Sequence, residues 1–246
     1  IVLEAGDYLR LHLHDDLMIS KKTGPTDLVT QMDQQVQKDL VEKITNRYPE
    51  DRIFAEEDGL RSPISEGSVW VIDPIDGTNN FVTQKEDFAV MVAYFEDGIG
   101  RFGLIYDVMR DHLFFGGGEF PVYRNEVELT PFVDQPLENL LIASNVGMLE
   151  KNDWGMADLG MDSLGIRVYG SAGISFSKIL SGGILAYFSY IWPWDYAAAA
   201  IMGERLGYTV LNLNGDKPNY QTVEPIMMVP KVKLTEIQTY LKKGRS

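Results

Sequence analysis

The segment from Trp70 to Phe81, WVIDPIDGTNNF, limits the possible folds of this chain more than any other. It opens with apolar, partly β-branched residues that favour a buried strand, and Pro74 then removes a backbone donor from the ladder. We therefore predict a strand that ends at Asp73. The Asp-Gly-Thr sequence at 76–78 is typical of the start of a short helix, where the first N–H groups have no partner within the helix.

This turn combines two kinds of ligand-binding group. Asp73 and Asp76 supply carboxylate oxygens, which divalent cations bind, and the start of the predicted helix supplies N–H donors, which phosphate binds. A phosphate group and its metal ions would both find ligands here. The alternative interpretation is that the two Asp residues only stabilise the turn, as Asp commonly does in loops. The turn by itself does not decide between the two.

Acidic residues elsewhere also lie at the ends of predicted elements. A short apolar run predicts a strand that ends at Glu56, and Asp195 lies at the capping position of an Ala-rich helix. If the fold gathers Glu56, Asp73, Asp76 and Asp195, their charges repel one another strongly. Octahedral Mg²⁺, bound by carboxylates, water and substrate oxygen, is the cation that suits such a group of ligands.

The motifs around these residues resemble those of the inositol monophosphatase family. WVIDPIDGTNNF is similar to the first family signature, WDYAAAAI at 194–201 is similar to the second, and the likeness covers nearly the whole chain, including DLVTQMD at 27–33. The resemblance implies a lithium-sensitive, Mg²⁺-dependent phosphomonoester hydrolase similar to inositol-1-monophosphatase. It implies an α+β or α/β fold, the layered α-β-α-β-α sandwich shared with fructose-1,6-bisphosphatase. It also implies a homodimer, which members of the family commonly form.

The same resemblance implies a ligand set for two or three Mg²⁺ ions. One ion would rest on Glu56, Asp73 and the carbonyl of Ile75. A second would rest on Asp73, Asp76 and Asp195, so that Asp73 bridges the two. A third ion would be held more weakly, largely by Glu56 and water.

Catalytic and substrate-binding roles follow from the family as well. Glu56 and Thr78 would orient a metal-activated hydroxide for in-line attack on phosphorus. Asp33 would help to hold that water or an outer ion, and the alternative for Asp33 is a partner for its helix dipole. Glu57 would support the site without binding metal. The predicted contacts with substrate are Asp76, Gly77, Thr78, Gly170, Ser171, Ala172 and Asp195.

The order of predicted elements suggests two lobes. Hairpin signals dominate before Asn139, whereas strand and helix alternate after it. We therefore predict an N-terminal α+β lobe at 1–139, which carries an antiparallel meander and the metal-binding motifs. A C-terminal α/β lobe at 140–246 would complete the site.

Within these lobes the apolar pattern predicts individual elements. Helical spacing predicts helices at 1–18, from 27 through Ile44, and at 234–243. Strands in hairpin order are expected from 88 to 115. The region 145–164 is poorly periodic, so we predict no regular element there.

The composition excludes several classes of protein. The 246 residues are 45% hydrophobic with a net charge of −14, which suits a globular protein with ample core and disfavours a nucleic-acid partner. The absence of cysteine excludes disulfides, Cys-ligated zinc and phosphatases with a cysteine nucleophile. No apolar run is long enough for a membrane span and no leader is recognisable, so we expect a cytoplasmic location and no membrane partner.

The stretch before the second motif differs from that of inositol-specific relatives. They carry a Glu there that binds a sugar hydroxyl, whereas residues 186–192 contain no acidic residue, are one residue shorter and offer Ser189 as the nearest match. Aromatic residues dominate this stretch, either as core or as a surface on which a nucleotide base stacks. We therefore expect a specificity broader than inositol 1-phosphate, with NADP(H), sugar phosphates, fructose 1,6-bisphosphate or phosphoadenosine phosphate as alternatives.

Three other interpretations predict different behaviour. A haloacid-dehalogenase-like phosphatase needs a nucleophile two residues before its second Asp, and Pro74 occupies that position. A catalytically inactive metal-binding regulatory module would keep the fold without turnover. An acidic protein-interaction scaffold would capture a partner, also without turnover. Mg²⁺-dependent phosphate release separates the enzyme from the last two.

Overall fold

The computed structural model describes residues 1–15, 19–21 and 28–243. This part of the chain contains eight α-helices, named α1 to α8 in chain order: Val2–Leu11, Gln31–Arg47, Thr78–Thr83, Val146–Glu150, Met156–Asp162, Ala172–Leu180, Pro193–Arg205 and Leu234–Lys243. The same part contains fourteen strands, named β1 to β14: Ile19–Lys21, Leu28–Thr30, Arg52–Ala55, Ser68–Asp76, Ala89–Glu96, Ile99–Asp107, His112–Gly117, Phe120–Arg124, Val127–Glu128, Leu141–Ser144, Gly165–Arg167, Ala186–Ile191, Tyr208–Asn212 and Glu224–Pro230.

Most strands belong to two large sheets. A seven-stranded sheet has the order β3-β4-β5-β6-β7-β8-β9, in which the β3–β4 pair is parallel and the other pairs are antiparallel. A five-stranded sheet has the order β11-β10-β12-β14-β13, with β10 parallel to both of its neighbours. Strands β1 and β2 form a separate antiparallel pair. The predicted meander is present, and β8 and β9 extend it.

Three apolar clusters fill the spaces between five layers. Helices α1 and α2 cover one face of the seven-stranded sheet, α6 and α7 lie between the two sheets, and α4, α5 and α8 cover the outer face of the five-stranded sheet. Neighbouring strand residues alternate between these clusters, as a period of two requires. Ile72 faces α2 and Val71 faces α7, while Met227 faces the outer helices and Met228 the inner ones. The layered α-β-α-β-α sandwich is confirmed.

Helix α7 packs against the seven-stranded sheet at very short range. A Cβ atom at Gly103 of β6 would lie 2.8 Å from the Cα of Ala198 and 2.5 Å from its carbonyl oxygen. Small residues on both sides therefore let backbone approach backbone. This contact fixes the height of α7 over the sheet, and with it the position of the acidic residue in its first turn.

The first two helices differ from the prediction. Helix α1 ends at Leu11, so the helix predicted at 1–18 is too long in its described part, and residues 16–18 lie outside the described residues. Leu28–Thr30 form β2 rather than a helical turn. Thr30 then caps α2, since its Oγ1 accepts the N–H of Met32 at 3.1 Å. The β-branched Val29 precedes the cap and favours a strand up to that point.

The region 145–164, predicted to have no regular element, contains α4 and α5. Asn145 caps α4 by accepting the N–H of Met148 at 2.9 Å. Trp154 and Gly155 then take left-handed backbone angles between the two helices. This interruption breaks the helical period, so the apolar pattern does not show either helix.

The end of the chain follows the prediction more closely. The final helix is confirmed at Leu234–Lys243.

Across the described ranges, no helix combines the length and the apolar character that a membrane crossing needs. The division near Asn139 stays a prediction, with the seven-stranded sheet before it and the five-stranded sheet after it.

Candidate active site

Asp73 and Asp76 lie on one strand, because β4 runs through Pro74 and ends at Asp76. The strand end predicted at Asp73 is therefore wrong. Asp73 pairs with Met91 of β5 and Asp76 pairs with Ala89, so three residue steps on β4 match two on β5. Such a bulge tolerates Pro74, which has no N–H to pair, and shifts the alternation of side chains after it. It brings two carboxylates three residues apart to the same side of the strand.

Asp195 reaches the same place from α7. The helix begins at Pro193, and Asp195 is its third residue rather than the predicted capping residue. Its Oδ2 accepts the N–H of Trp192 at 2.7 Å, which closes the first turn. A proline in the first helical position and an acidic residue in the first turn both favour a helix start here.

Asp73, Asp76 and Asp195 form a compact carboxylate cluster. One oxygen from each lies within 4.8 Å of the others. Asp73 is 1% and Asp76 is 6% exposed, whereas Asp195 is half-buried. Three hard anionic oxygens at this spacing suit Mg²⁺, which keeps water and substrate oxygens among its ligands. The donor set therefore fits the ion predicted from the sequence.

This cluster is electrostatically unfavourable without a cation. Burial, followed by the charges of Glu56, Asp76 and Asp195, raises the pKa of Asp73 well above its usual value. Burial also raises the pKa of Asp195 well above its usual value, with further contributions from Asp76 and Glu56. Bound cations favour the ionised form of a carboxyl, so metal binding would lower both pKa values.

Glu56 lies next to the cluster but comes from another strand. It directly follows β3, and its N–H donates to the carbonyl of Ile72 on β4 at 3.2 Å. Its charge raises the pKa of both Asp73 and Asp195, so its carboxylate is close to each. The parallel pairing of β3 with β4 thus brings a fourth predicted metal ligand to the site.

Asp76 is held by the first turn of α6. Its Oδ1 accepts the N–H of Ala172 at 3.0 Å, and its Oδ2 accepts the N–H of Gly173 at 2.8 Å and the hydroxyl of Ser171. Ser171 also accepts the N–H of Ile174 at 3.1 Å as the N-cap of α6. Burial raises the pKa of Asp76, and these hydrogen bonds oppose the shift. The start of α6 therefore orients one carboxylate of the cluster.

Gly77 and Gly170 mark the close approach of α3 to the start of α6. Gly77 has φ 85°, and a Cβ atom there would lie 2.9 Å from the Cβ of Ser171. Gly170 has φ 71°, and a Cβ atom there would lie 3.0 Å from Oδ1 of Asn80. Gly77 is therefore required for its backbone angle and for space. Substrate contacts by these two glycines, Ser171 and Ala172 stay predictions.

Thr78 is linked to Asp33. Its Oγ1 lies 3.0 Å from Oδ1 of Asp33 and 3.0 Å from the carbonyl oxygen of Ile75, so two acceptors compete for one proton. Asp33 is buried, and its Oδ2 accepts both the N–H and the hydroxyl of Thr30 at 2.7 Å. The Asp33 carboxylate thus closes the first turn of α2 and also positions Thr78.

Arg61 lies beside the acidic residues of the site, although no sequence pattern predicts it there. Partial burial lowers the pKa of Arg61, and the nearby charges of Glu56 and Glu57 oppose that shift. Its guanidinium lies 4.6 Å from the ring centre of Trp194. Glu57 is buried beside α2, where its N–H donates to Oε1 of Gln37 at 2.8 Å. A single Arg in a loop has no periodicity or motif, so only the fold reveals its place.

Polar groups on β12 also lie near the cluster. Ser189 is buried, and its Oγ accepts from Nδ2 of Asn145 at 3.2 Å. Burial raises the pKa of Tyr187, whose hydroxyl lies near Ser189 and Ser175. The sequence gives Tyr187 only as one of the aromatic residues of this stretch and does not mark Asn145, because their proximity depends on strand pairing.

Comparisons with known proteins agree with this geometry. A model of the inositol monophosphatase family matches residues 1–243. The inositol-1-monophosphatase of Bacillus subtilis (strain 168) is 36% identical over 221 residues, covering 87% of this chain and 83% of the relative. A crystal structure of staphylococcal IMPase-II with bound 2′-AMP matches with a TM-score of 0.86 and 30% identity, over 98% of this chain and 92% of that one. A crystal structure of an IMPase/NADP phosphatase with Mg²⁺ and phosphate matches with a TM-score of 0.88 and 26% identity. The match covers 97% of this chain and 91% of that one. Motifs, layers and carboxylate geometry lead to the same result, and the chain belongs to the inositol monophosphatase family.

Proposed function

We propose that this protein is a Mg²⁺-dependent phosphomonoester hydrolase of the inositol-1-monophosphatase type. The observation that carries the proposal is the convergence of Asp73, Asp76 and Asp195, whose carboxylate oxygens lie within 4.8 Å of one another. Two elements from distant parts of the chain, β4 and α7, supply these groups, and neighbouring residues orient them. Membership of the family supports the same activity.

The metal-binding residues of this proposal are the cluster, Glu56 and the carbonyl of Ile75, which would hold two or three Mg²⁺ ions. When bound, Mg²⁺ neutralises phosphate charge, lowers the pKa of water and stabilises the leaving oxygen. The family resemblance implies that Asp73 is the ligand two ions would share, and the charges of Glu56, Asp76 and Asp195 all act on this carboxyl.

Thr78 and Asp33 orient the attacking water in this proposal. The single proton of the Thr78 hydroxyl is directed to Asp33 or to the Ile75 carbonyl, each 3.0 Å away. Its lone pairs are then free to accept a hydrogen bond from water. The buried Asp33 carboxylate keeps the hydroxyl in this orientation and is a proton acceptor within hydrogen-bond distance of it.

The start of α3 supplies phosphate contacts in this proposal. The backbone N–H groups of Gly77 and Thr78 belong to the first turn, where α-helices leave donors unbonded. Donors held in place before the reaction stabilise charge that develops on phosphate oxygens. Because Gly77 packs on Ser171, these donors lie next to the residue that holds Asp76.

The substrate range extends beyond inositol phosphates in this proposal. Ser189 is the nearest match to the Glu of inositol-specific relatives, and its hydroxyl accepts a hydrogen bond from Asn145. One relative binds 2′-AMP, and another is described as an NADP phosphatase. Nucleotide 2′-phosphates are therefore the second candidate substrate class, and fructose 1,6-bisphosphate and phosphoadenosine phosphate remain alternatives.

Phosphate release tests the proposal. Wild-type protein should release phosphate from inositol 1-phosphate or 2′-AMP with Mg²⁺, lose activity in a chelator and regain it when Mg²⁺ is restored. Asp73→Asn should leave less than about a tenth of the activity, since this carboxylate serves two ions. Asp216→Asn, in an exposed turn, is the control and should be fully active.

Two outcomes would contradict the proposal. Metal binding without turnover of any phosphomonoester would indicate the inactive regulatory module instead. Activity of Asp73→Asn close to wild type would show that the cluster does not carry the reaction. A homodimer and a cytoplasmic location stay predictions, and light scattering tests the former.

A further inference from the structure

Two tryptophans stack next to the carboxylate cluster. The rings of Trp192 and Trp194 are parallel within 9°, with their centres 4.8 Å apart. The guanidinium of Arg61 lies 4.6 Å from the ring centre of Trp194. Since Trp192 occupies one face of Trp194, Arg61 covers the other. We call these three side chains the aromatic column.

The inner end of the aromatic column is fixed by the core. Trp194 is 5% exposed, and Phe54 packs on it with ring centres 5.6 Å apart. Arg61 donates to the carbonyls of Ala55 and Leu60, which hold its guanidinium over Trp194. A cation over one face of an indole interacts favourably with its π electrons. The column therefore has little freedom to move at this end.

The outer end of the aromatic column is open. Trp192 is 38% exposed, and Trp194 covers one of its two faces. Pro193 follows Trp192 and favours an extended backbone before it, as the angles φ −83° and ψ 164° show. No other aromatic ring of the described residues lies against Trp192, so its exposed area offers an apolar indole surface at the start of α7.

This surface belongs to the same turn as a predicted metal ligand. The N–H of Trp192 donates to Oδ2 of Asp195 at 2.7 Å. A phosphate at the cluster and a ring on Trp192 would therefore contact residues three apart in the chain. One small molecule that joins a phosphate to a flat ring matches this arrangement.

We propose that the open face of Trp192 binds the base of a nucleoside monophosphate whose phosphate is hydrolysed at the carboxylate cluster. The inference rests on the proposed function and narrows its substrate class. Stacking on an aromatic side chain does not depend on which base is bound, because every base has a π face, and the indole supplies the aromatic partner.

The groups around Trp192 favour a base over an inositol ring. An inositol ring carries hydroxyl groups around its rim, and these need hydrogen-bond partners when they leave water. The hydroxyl of Tyr190 already donates to Asp153 at 2.6 Å, and the Ser189 hydroxyl already accepts from Asn145. Trp192 adds an exposed π surface to this stretch, and that surface suits a base.

Steady-state kinetics on two substrates test the inference. With Mg²⁺ present, wild-type protein and Trp192→Ala are compared on 2′-AMP and on glycerol 2-phosphate, which has no ring. Loss of the stacking interaction with the base should raise the KM for 2′-AMP about 5- to 150-fold with little change in kcat. Both constants for glycerol 2-phosphate should stay unchanged.

Two further variants separate stacking from folding. Trp192→Phe keeps a ring and should recover most of the affinity for 2′-AMP, whereas Trp192→Leu keeps an apolar side chain without a ring and should not. Phe120→Ala removes an exposed aromatic residue on β8 and should leave KM and kcat unchanged for both substrates. Melting temperatures show that each variant is folded.

The outcomes distinguish this inference from the proposed function. If folded Trp192→Ala and Trp192→Leu retain the wild-type KM for 2′-AMP, or lose activity equally on both substrates, Trp192 does not bind the base. If wild-type protein releases phosphate from inositol 1-phosphate but not from 2′-AMP, this inference is wrong and the proposed function stands. If it releases no phosphate from inositol 1-phosphate, 2′-AMP or glycerol 2-phosphate with Mg²⁺, the proposed function itself is wrong.

Discussion

Oδ2 of Asp76 accepts the backbone N–H of Gly173 at 2.8 Å, although the two residues are 97 positions apart. The bond joins β4 of the seven-stranded sheet to α6 in the layer between the sheets. A carboxylate of the cluster is thus part of the start of a helix. Changes at this junction should affect stability and metal affinity together.

Ser171→Ala should show both effects. The change removes the hydroxyl that donates to Asp76 and accepts the N–H of Ile174. Loss of an N-cap of this kind costs about 0.5–2 kcal/mol in the free energy of unfolding, which urea denaturation in chelator measures. The pKa of Asp76 should also rise, because the hydrogen bond opposes the effect of burial. Half-maximal activity should then need more Mg²⁺.

The control for this prediction lies at the other end of the same helix. The Ser181 hydroxyl donates to the carbonyl of Ser177 at 2.8 Å, away from the cluster. Ser181→Ala should leave the Mg²⁺ requirement unchanged. An unchanged Mg²⁺ requirement in Ser171→Ala as well would show that the hydroxyl has no influence on the metal site.

Gly77→Ala and Gly207→Ala form a matched pair. Both glycines have similar positive φ angles, 85° and 84°. A Cβ atom at Gly207 would meet nothing within 4 Å, whereas one at Gly77 would lie 2.9 Å from the Cβ of Ser171 and 3.1 Å from the carbonyl oxygen of Asp87. Gly207→Ala should therefore lose about 1–2 kcal/mol from the backbone angle alone.

Gly77→Ala should lose more, by about a further 1–3 kcal/mol for the overlap. The overlap also pushes α3 away from α6, so phosphatase activity should fall in this variant and not in Gly207→Ala. Chemical denaturation and phosphate release measure the two effects. Equal stability and equal activity in the two variants would refute the close approach of the two helices.

The sequence identifies the residues of the cluster but not the way in which they meet. The likeness of two motifs to a known family marks Asp73, Asp76 and Asp195, and the structure places their oxygens together. The rule that proline ends a strand led to a wrong boundary at Pro74. A β-bulge overrides that rule, and bulges depend on the partner strand, which one segment of sequence does not show.

Other differences also come from contacts between distant segments. The hydrogen bonds of Asp76 with the first turn of α6 join residues far apart in the chain, so no local pattern predicts them. The start of α2 is different, because Thr30 and Asp33 have the spacing of a capping box, which is a local signal. The prediction from apolar periodicity did not use this signal and began the helix too early. The spacing of apolar residues predicted the final helix well, since its apolar face is regular.

The raised pKa values of Asp73 and Asp195 predict how metal-free protein responds to pH. Unfolded Asp has a pKa of about 3.9, so the folded carboxyls keep protons that the unfolded chain has lost. Their contribution to stability is complete below about pH 4 and is lost as the pH rises through the raised folded pKa. The melting temperature in chelator should therefore fall as the pH rises from about 4 through the raised pKa values of the folded protein.

Mg²⁺ should reverse this trend, because a cation stabilises the ionised carboxylates. The difference in melting temperature between Mg²⁺ and chelator should widen as the pH rises. Asp73→Asn removes one of the two carboxyls with a strongly raised pKa, so its melting temperature in chelator should depend less on pH than that of wild type. The same pH dependence in both proteins would mean that other charges cause it.

Thr78→Val should reduce turnover with little change in KM. The valine keeps the shape of Thr78 but loses the hydroxyl that lies 3.0 Å from Oδ1 of Asp33. If this hydroxyl orients the attacking water, kcat should fall about 100-fold or more, the range found when a positioned catalytic group is removed. Stopped assays of phosphate release under saturating substrate and Mg²⁺ measure kcat directly.

Two variants complete this experiment. Thr78→Ser restores a hydroxyl in the same place and should recover most of the turnover, although it lacks the methyl group. Thr83→Val removes a hydroxyl at the end of the same helix, where it donates to the carbonyl of Asn79, and should leave kcat unchanged. If Thr78→Val turns over at the wild-type rate, the water is held by the carboxylates and metal ions alone, and the Asp33–Thr78 pair only joins α2 to α3.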